Sequence, residues 1–186
     1  MVMQISSILP RLTAVILAGA VLTVIPQAHA AYEVPITNPN CSNPGPDVKI
    51  IKSTADWSAI NSSSYRVFCV MPGDYTSLGA IKITASGTSS SPRQIVYYRT
   101  NDNGDMPWQQ SDSNQAKVQG LSLKGASWWV IHRITVTDDN YRSELKYRIK
   151  IGDNSDNNVI DSVLAEKAPF STGYVGKGSD NNTIQK

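Results

Sequence analysis

The chain has 186 residues, of which 17 are basic and 15 acidic, for a formal net charge of +2 at pH 7. That near-balance argues against a nucleic-acid binder, which needs a basic stripe. Once a leader is set aside, the length allows one ordinary domain.

Residues 1–30 read as a signal peptide. Arg11 supplies a weak basic region, Leu12 to Ile25 is an apolar run, and Ala28-His29-Ala30 is a small-x-small cleavage signal. The run is short for a bilayer and a cleavage site follows it, so an uncleaved anchor is the weaker reading. No other stretch is apolar enough to span. The expected mature protein is secreted, extracellular or periplasmic, with no membrane association after cleavage. Loss of Arg11 leaves it at +1, with room for a local positive patch that meets an acidic glycan.

Residues 31–47, rich in Pro and Asn, read as an extended arm. Cys41 lies in this arm and Cys69 in the β-rich run that follows; an even pair in an oxidising compartment reads as a disulfide. In the chain-entropy model such a bridge contributes about 3–4 kcal/mol. The competing reading is two buried free thiols.

Residues 48–186 read as the folded body. Val48 to Ile51 alternates briefly as a first strand, and Ser53 or Thr54 can cap a short helix through Ala55, Asp56, Trp57 and Ile60. Val67 to Met71 is a β-rich run closed by Pro72-Gly73-Asp74-Tyr75. Ile81 to Thr84 and Gln94 to Arg99 alternate with period two, separated by a Gly/Ser turn.

An internal repeat then takes over. GDNSDNNVIDS from Gly152 matches GKGSDNNTIQK from Gly176 at an offset of 24 residues. Trp129 to Thr135 runs parallel to Asn158 to Leu164 at an offset of 29, with the five extra residues assigned to a loop near Asp138–Leu145. Offsets in this range mean a stacked array. The repeats hold short aliphatic runs with Gly, Asn, Asp and Ser at their corners, which predicts β-strands. Ile131, Ile134 and Val136 are expected to face inward, and Ile160, Val163 and Ala165 one turn later. Either Asn157 with Asn181 or Asn158 with Asn182 is expected to stack as an amide ladder.

On these residues the chain resembles the pectate-lyase-like superfamily of right-handed parallel β-helices. Three segments carry the resemblance: VFCVMPGDYTSLGAIKITASGTSSSPRQIVYYR, GASWWVIHRITVTD and the SDNN-x-I copies. It covers roughly residues 48–186. It implies an all-β solenoid with a short N-terminal capping helix. The last residues stop inside a repeat with no atypical cap. The expectation is therefore an incomplete β-helix, either a fragment from the N-terminal part of a longer protein or the product of a truncated gene, inactive or nearly so by itself. The superfold hosts lyases, hydrolases and non-enzymatic surface proteins, so the fold does not settle the function.

A lyase of uronate polymers needs a base for the proton α to the carboxylate and a cation for the developing enolate. The repeat register places His132, Asp161 and Gln185 in one outward column, with Arg133, Ser162 and Lys186 beside it. His132, Arg133 and Asp161 are the catalytic candidates; the competing reading is a solvated polar column. Lys146, Arg148 and Lys150 alternate with Tyr147, Ile149 and Ile151 and are candidates for binding polyuronate carboxylates, against edge protection of a sheet. Trp128 and Trp129 are adjacent, so one faces in and the other out. Trp128 is the candidate for stacking on a sugar. Asp153, Asp156, Asp161 and Glu166 lack calcium-loop spacing; no metal site is assigned, and Ca2+ is expected only as a cofactor of a longer protein. No nucleophile elbow, zinc signature, phosphate loop or Rossmann fingerprint occurs. The expected function is a secreted polysaccharide lyase of anionic glycans acting as a monomer; the alternative is a non-catalytic β-helix that binds glycans or partners.

Overall fold

The computed structural model describes residues 41–98, 115–137, 147–165 and 171–185, all within the unit Tyr32–Lys186. In chain order its strands are β1 (Val48–Ile51), β2 (Val67–Val70), β3 (Gly73–Asp74), β4 (Ala80–Ile83), β5 (Arg93–Tyr97), β6 (Ala116–Val118), β7 (Gly120–Leu123), β8 (Trp129–His132), β9 (Thr135–Val136), β10 (Tyr147–Ile151), β11 (Val159–Asp161), β12 (Leu164–Ala165), β13 (Ser171–Val175) and β14 (Thr183–Gln185). They form three sheets, ordered β1-β2-β5-β8-β11-β14, β3-β6-β9-β12 and β4-β7-β10-β13. From β2 onward the chain visits the three sheets in rotation, and each strand pairs in parallel with the strand three places later. A parallel pair needs a long crossover; here the strands of the other two sheets supply it.

The repeat offsets are the strand register. Val159, Ile160 and Asp161 pair with Thr183, Ile184 and Gln185 at 24 residues, and with Val130, Ile131 and His132 at 29. Side chains therefore stack in rows. Phe68, Ile95, Ile131 and Ile160 line the interior of the first sheet, Ile83, Leu123 and Ile151 that of the third, and Val118 and Val136 that of the second. Ile134 joins this buried core, and Val163 and Ala165 pack against it partly buried.

The corners stack too. Backbone φ is positive at Gly125, Asn154 and Gly178, at Trp128, Asn157 and Asn181, and at Arg133 and Ser162. These are the same offsets again, so each turn of chain bends at the same places. Gly and Asn tolerate the left-handed conformation, while Trp and Arg adopt it at a steric cost. Asn158, and not Asn157, carries the amide ladder. Its Nδ2 donates to Asn182 Oδ1 at 3.0 Å and to the Ala126 carbonyl at 3.0 Å, while its Oδ1 accepts the Trp129 N–H at 3.0 Å. Asn157 and Asn181 turn the corner instead.

At the other end, Thr54–Asn61 forms a 3-10 helix whose Trp57 and Ile60 are buried in the main core. The Asp56 carboxylate accepts the backbone N–H of Lys52 and of Ser53, the Ser53 hydroxyl, and the Lys49 ammonium at 2.7 Å. The Lys49 contact, helped by the backbone donors, holds its pKa well below the usual carboxylate range. Arg93 is buried; its guanidinium lies 4.9 Å from the Trp129 ring centroid and donates to the carbonyls of Ile60 and Ser62. In the Gly/Ser turn, a Cβ on Gly87 would sit 2.7 Å from Arg93 N and from the Trp128 carbonyl, so only glycine fits. Cys41 and Cys69 form the expected disulfide, with Cα atoms 5.9 Å apart. The loop expected near Asp138–Leu145 lies outside the described residues, as do Arg99, Glu166 and Lys186.

Candidate functional site

Alternation along β8 and β11 sends Trp129, Ile131 and Ile160 into the core and leaves Val130, His132, Val159 and Asp161 on the opposite face. His132 and Asp161 are directly paired residues of neighbouring strands. The expected column is therefore present, but it is not a solvated one. His132 and Asp161 are each 7% exposed. The alternation fixes the face, but local periodicity does not report whether that face is buried.

His132 Nδ1 lies 2.5 Å from Asp161 Oδ2. The Ser162 hydroxyl donates to Asp161 Oδ1 at 3.3 Å, and the Arg133 N–H donates to the Asp161 carbonyl at 3.2 Å. A carboxylate offers only acceptors, so Nδ1 of the neutral ring is the donor and the lone pair sits on Nε2. Burial pushes the imidazole pKa below its ordinary value, and the positive charge of Arg133 acts in the same direction; Asp161 pulls upward without restoring it. The ring is thus held neutral, in one tautomer, with a basic nitrogen pointing away from its carboxylate. That arrangement accepts a proton at Nε2 and has a carboxylate in place to balance the imidazolium that results. Arg133 and Ser162 do not form a strand column. They occupy equivalent left-handed corners just after the dyad.

The remaining candidates separate. Lys146 lies outside the described residues. Arg148 is on the outward parity of β10 yet is 0% exposed, with Nη1 donating to the Gln119 carbonyl at 3.4 Å; it does not present its charge to solvent as the alternation implied. Lys150 is exposed. Trp129 is buried and its Nε1 donates to the Ala85 carbonyl, while Trp128 is half-buried at the corner. Two residues escaped the sequence reading: Ser162 as a donor to Asp161, and Tyr174 beside Lys150. The 24-residue offset, carried from Lys150, points to Tyr174 directly.

Among the described residues no group of three or more His, Cys, Asp or Glu is placed to hold a metal ion. Asp156 Oδ1 accepts the Asp180 N–H at 2.8 Å and so serves the corner stack. No described helix is long and apolar enough to cross a membrane. Comparison with family models, with curated proteins and with solved structures finds no match to this chain.

Proposed function

We propose that this chain is a right-handed parallel β-helix of the pectate-lyase-like kind, its 3-10 helix covering one end of the core, and that the exported protein acts on uronate-containing polysaccharides as a lyase. The rotation of the chain through three parallel sheets supports the first part, since crossovers between parallel strands are right-handed almost without exception. One observation carries the second: the buried His132–Asp161 pair beside a cationic corner. In the elimination, His132 Nε2 takes the proton α to the sugar carboxylate. The electron pair of that C–H bond forms the new C=C bond, and the neighbouring C–O bond breaks. The departing oxygen takes up a proton from the imidazolium or from water. Arg133 offsets the charge that develops on the carboxylate, and Asp161 keeps Nε2 as the accepting atom.

The test is ultraviolet detection of unsaturated uronate from pectate, alginate and glycosaminoglycans. Slow product formation is expected, reduced by about 100-fold or more in His132→Ala, the range set for a general base. An unchanged rate in that variant overturns the assignment. A specific observation favours a second reading: with both dyad members 7% exposed, access for a sugar is narrow, as in a non-catalytic β-helix that binds glycans. Binding without any product selects that reading.

A further inference from the structure

The outward face of the third sheet carries a row that has nothing to do with the dyad. Strand register places Lys82 of β4, Ser122 of β7, Lys150 of β10 and Tyr174 of β13 side by side. Neighbouring strands lie about 4.8 Å apart, so the two lysines stand about 10 Å from each other along the stack. Lys82 and Lys150 are exposed, and neither makes an ion pair among the described residues. Tyr174 is 38% exposed. Its ring stacks on Tyr147 with centroids 4.8 Å apart and planes 24° from parallel. The Lys150 ammonium sits 5.8 Å from the Tyr174 centroid. The next corner adds exposed Lys124 and Lys177, with Asp153 as the acidic group between them.

We propose that this row is a binding face for an anionic polysaccharide, separate from the His132–Asp161 dyad and on a different sheet. The polymer runs along the stack, across the strands. Its carboxylates meet Lys82 and Lys150, a hydroxyl meets Ser122, and one sugar ring lies on Tyr174. Three features argue for this occupant. Among the described residues the two lysines of the row have no ion-pair partner, which fits a polyanion. A tyrosine braced from behind by a second ring offers a flat apolar surface with a polar rim, the shape a sugar ring matches. The lysines repeat along one axis and are not gathered in a pocket, which suits an extended chain better than a small anion. The substrate class deepens the lyase reading and rests on it, but the site does not, because no residue is shared.

Binding is measured with the whole exported chain on polygalacturonate, on a neutral glycan such as dextran, and on double-stranded DNA. Polygalacturonate binding is expected, weakening with salt. In Lys82→Ala/Lys150→Ala the affinity should fall by about tenfold or more, the value of charge-assisted contacts, and the salt dependence should flatten. Tyr174→Ala should weaken binding severalfold and leave the salt dependence in place. Lys52→Ala, which removes an exposed lysine away from the row, should do neither, and circular dichroism checks that each variant folds. Equal binding of dextran, equal or tighter binding of DNA, or full binding by the double lysine variant overturns the proposal. His132→Ala separates the two readings. Loss of product with full binding in that variant keeps both. Absence of product from the wild type, with binding still dependent on the row, removes the lyase and leaves the face. Binding lost in His132→Ala and kept in the lysine variant removes the face.

Discussion

His132 is the only histidine in residues 31–186, and its environment makes a pH prediction with a definite sign. Its folded pKa lies below the ordinary value, chiefly through burial, while the unfolded ring titrates near ~6.5. Between those two values the unfolded chain binds more protons, so stability rises with pH across that window. Urea unfolding should therefore show stability lost as pH drops below about 6.5, with His132→Gln flattening that part of the profile. A profile that is flat in the wild type contradicts the burial argument. Arg133 gives a second test at the same scale. It holds a left-handed backbone at φ 56, which costs a side-chain-bearing residue about 1–2 kcal/mol, whereas Asn visits it readily. Arg133→Asn should stabilise by about 1 kcal/mol. It should also raise the His132 pKa, because the Arg133 charge depresses it. Urea titration and an NMR titration of the imidazole read the two effects separately, and a drop in stability sinks the strain account.

Elements in this chain are held by polar stacking as well as by apolar rows. Asn158 serves the Trp129 N–H, the Ala126 carbonyl and Asn182 from a fully buried position. Asn158→Ala leaves buried backbone groups without partners, at about 1–3 kcal/mol for each. Asn182→Ala should cost less, because Asn182 is only half-buried. Chemical denaturation of the two variants decides the order; equal costs would show that the ladder is not cooperative. The disulfide is the other staple at this scale. It joins Cys41 to β2 across 28 residues, and Cys41→Ser/Cys69→Ser should lower stability by roughly 3 kcal/mol, measurable as a shift in the urea midpoint.

These elements also show what was legible in the sequence. The offsets of 24 and 29 residues gave strand register directly, because in-register parallel strands stack like on like. The choice between Asn157 and Asn158 was not legible, since the amide is the same and only the backbone φ separates corner from ladder. The exposure of Arg148 and His132 was not legible, for a shared reason: period-two alternation assigns a face, and both residues are on the outward one, yet both are buried. A local pattern assigns the face and does not fix how much of it is exposed.

At the scale of the whole molecule, the fold distributes two chemistries over two sheets. The first sheet holds a neutral histidine against a carboxylate; the third shows lysines and a braced tyrosine to solvent. Both arise from the same device. A strand repeated in register converts residues 24 or 29 apart in sequence into neighbours. His132 and Asp161 meet only if the chain is stacked at the 29-residue offset, so one spectroscopic observation tests fold and site together. That observation is the 15N NMR spectrum of the His132 imidazole in the whole chain, assigned with His132→Gln. The stacked dyad predicts a ring fixed with its proton on Nδ1 at pH above ~6.5, a preference that Asp161→Asn removes. A ring that exchanges freely between tautomers, titrates at its ordinary pKa and ignores Asp161→Asn would contradict it.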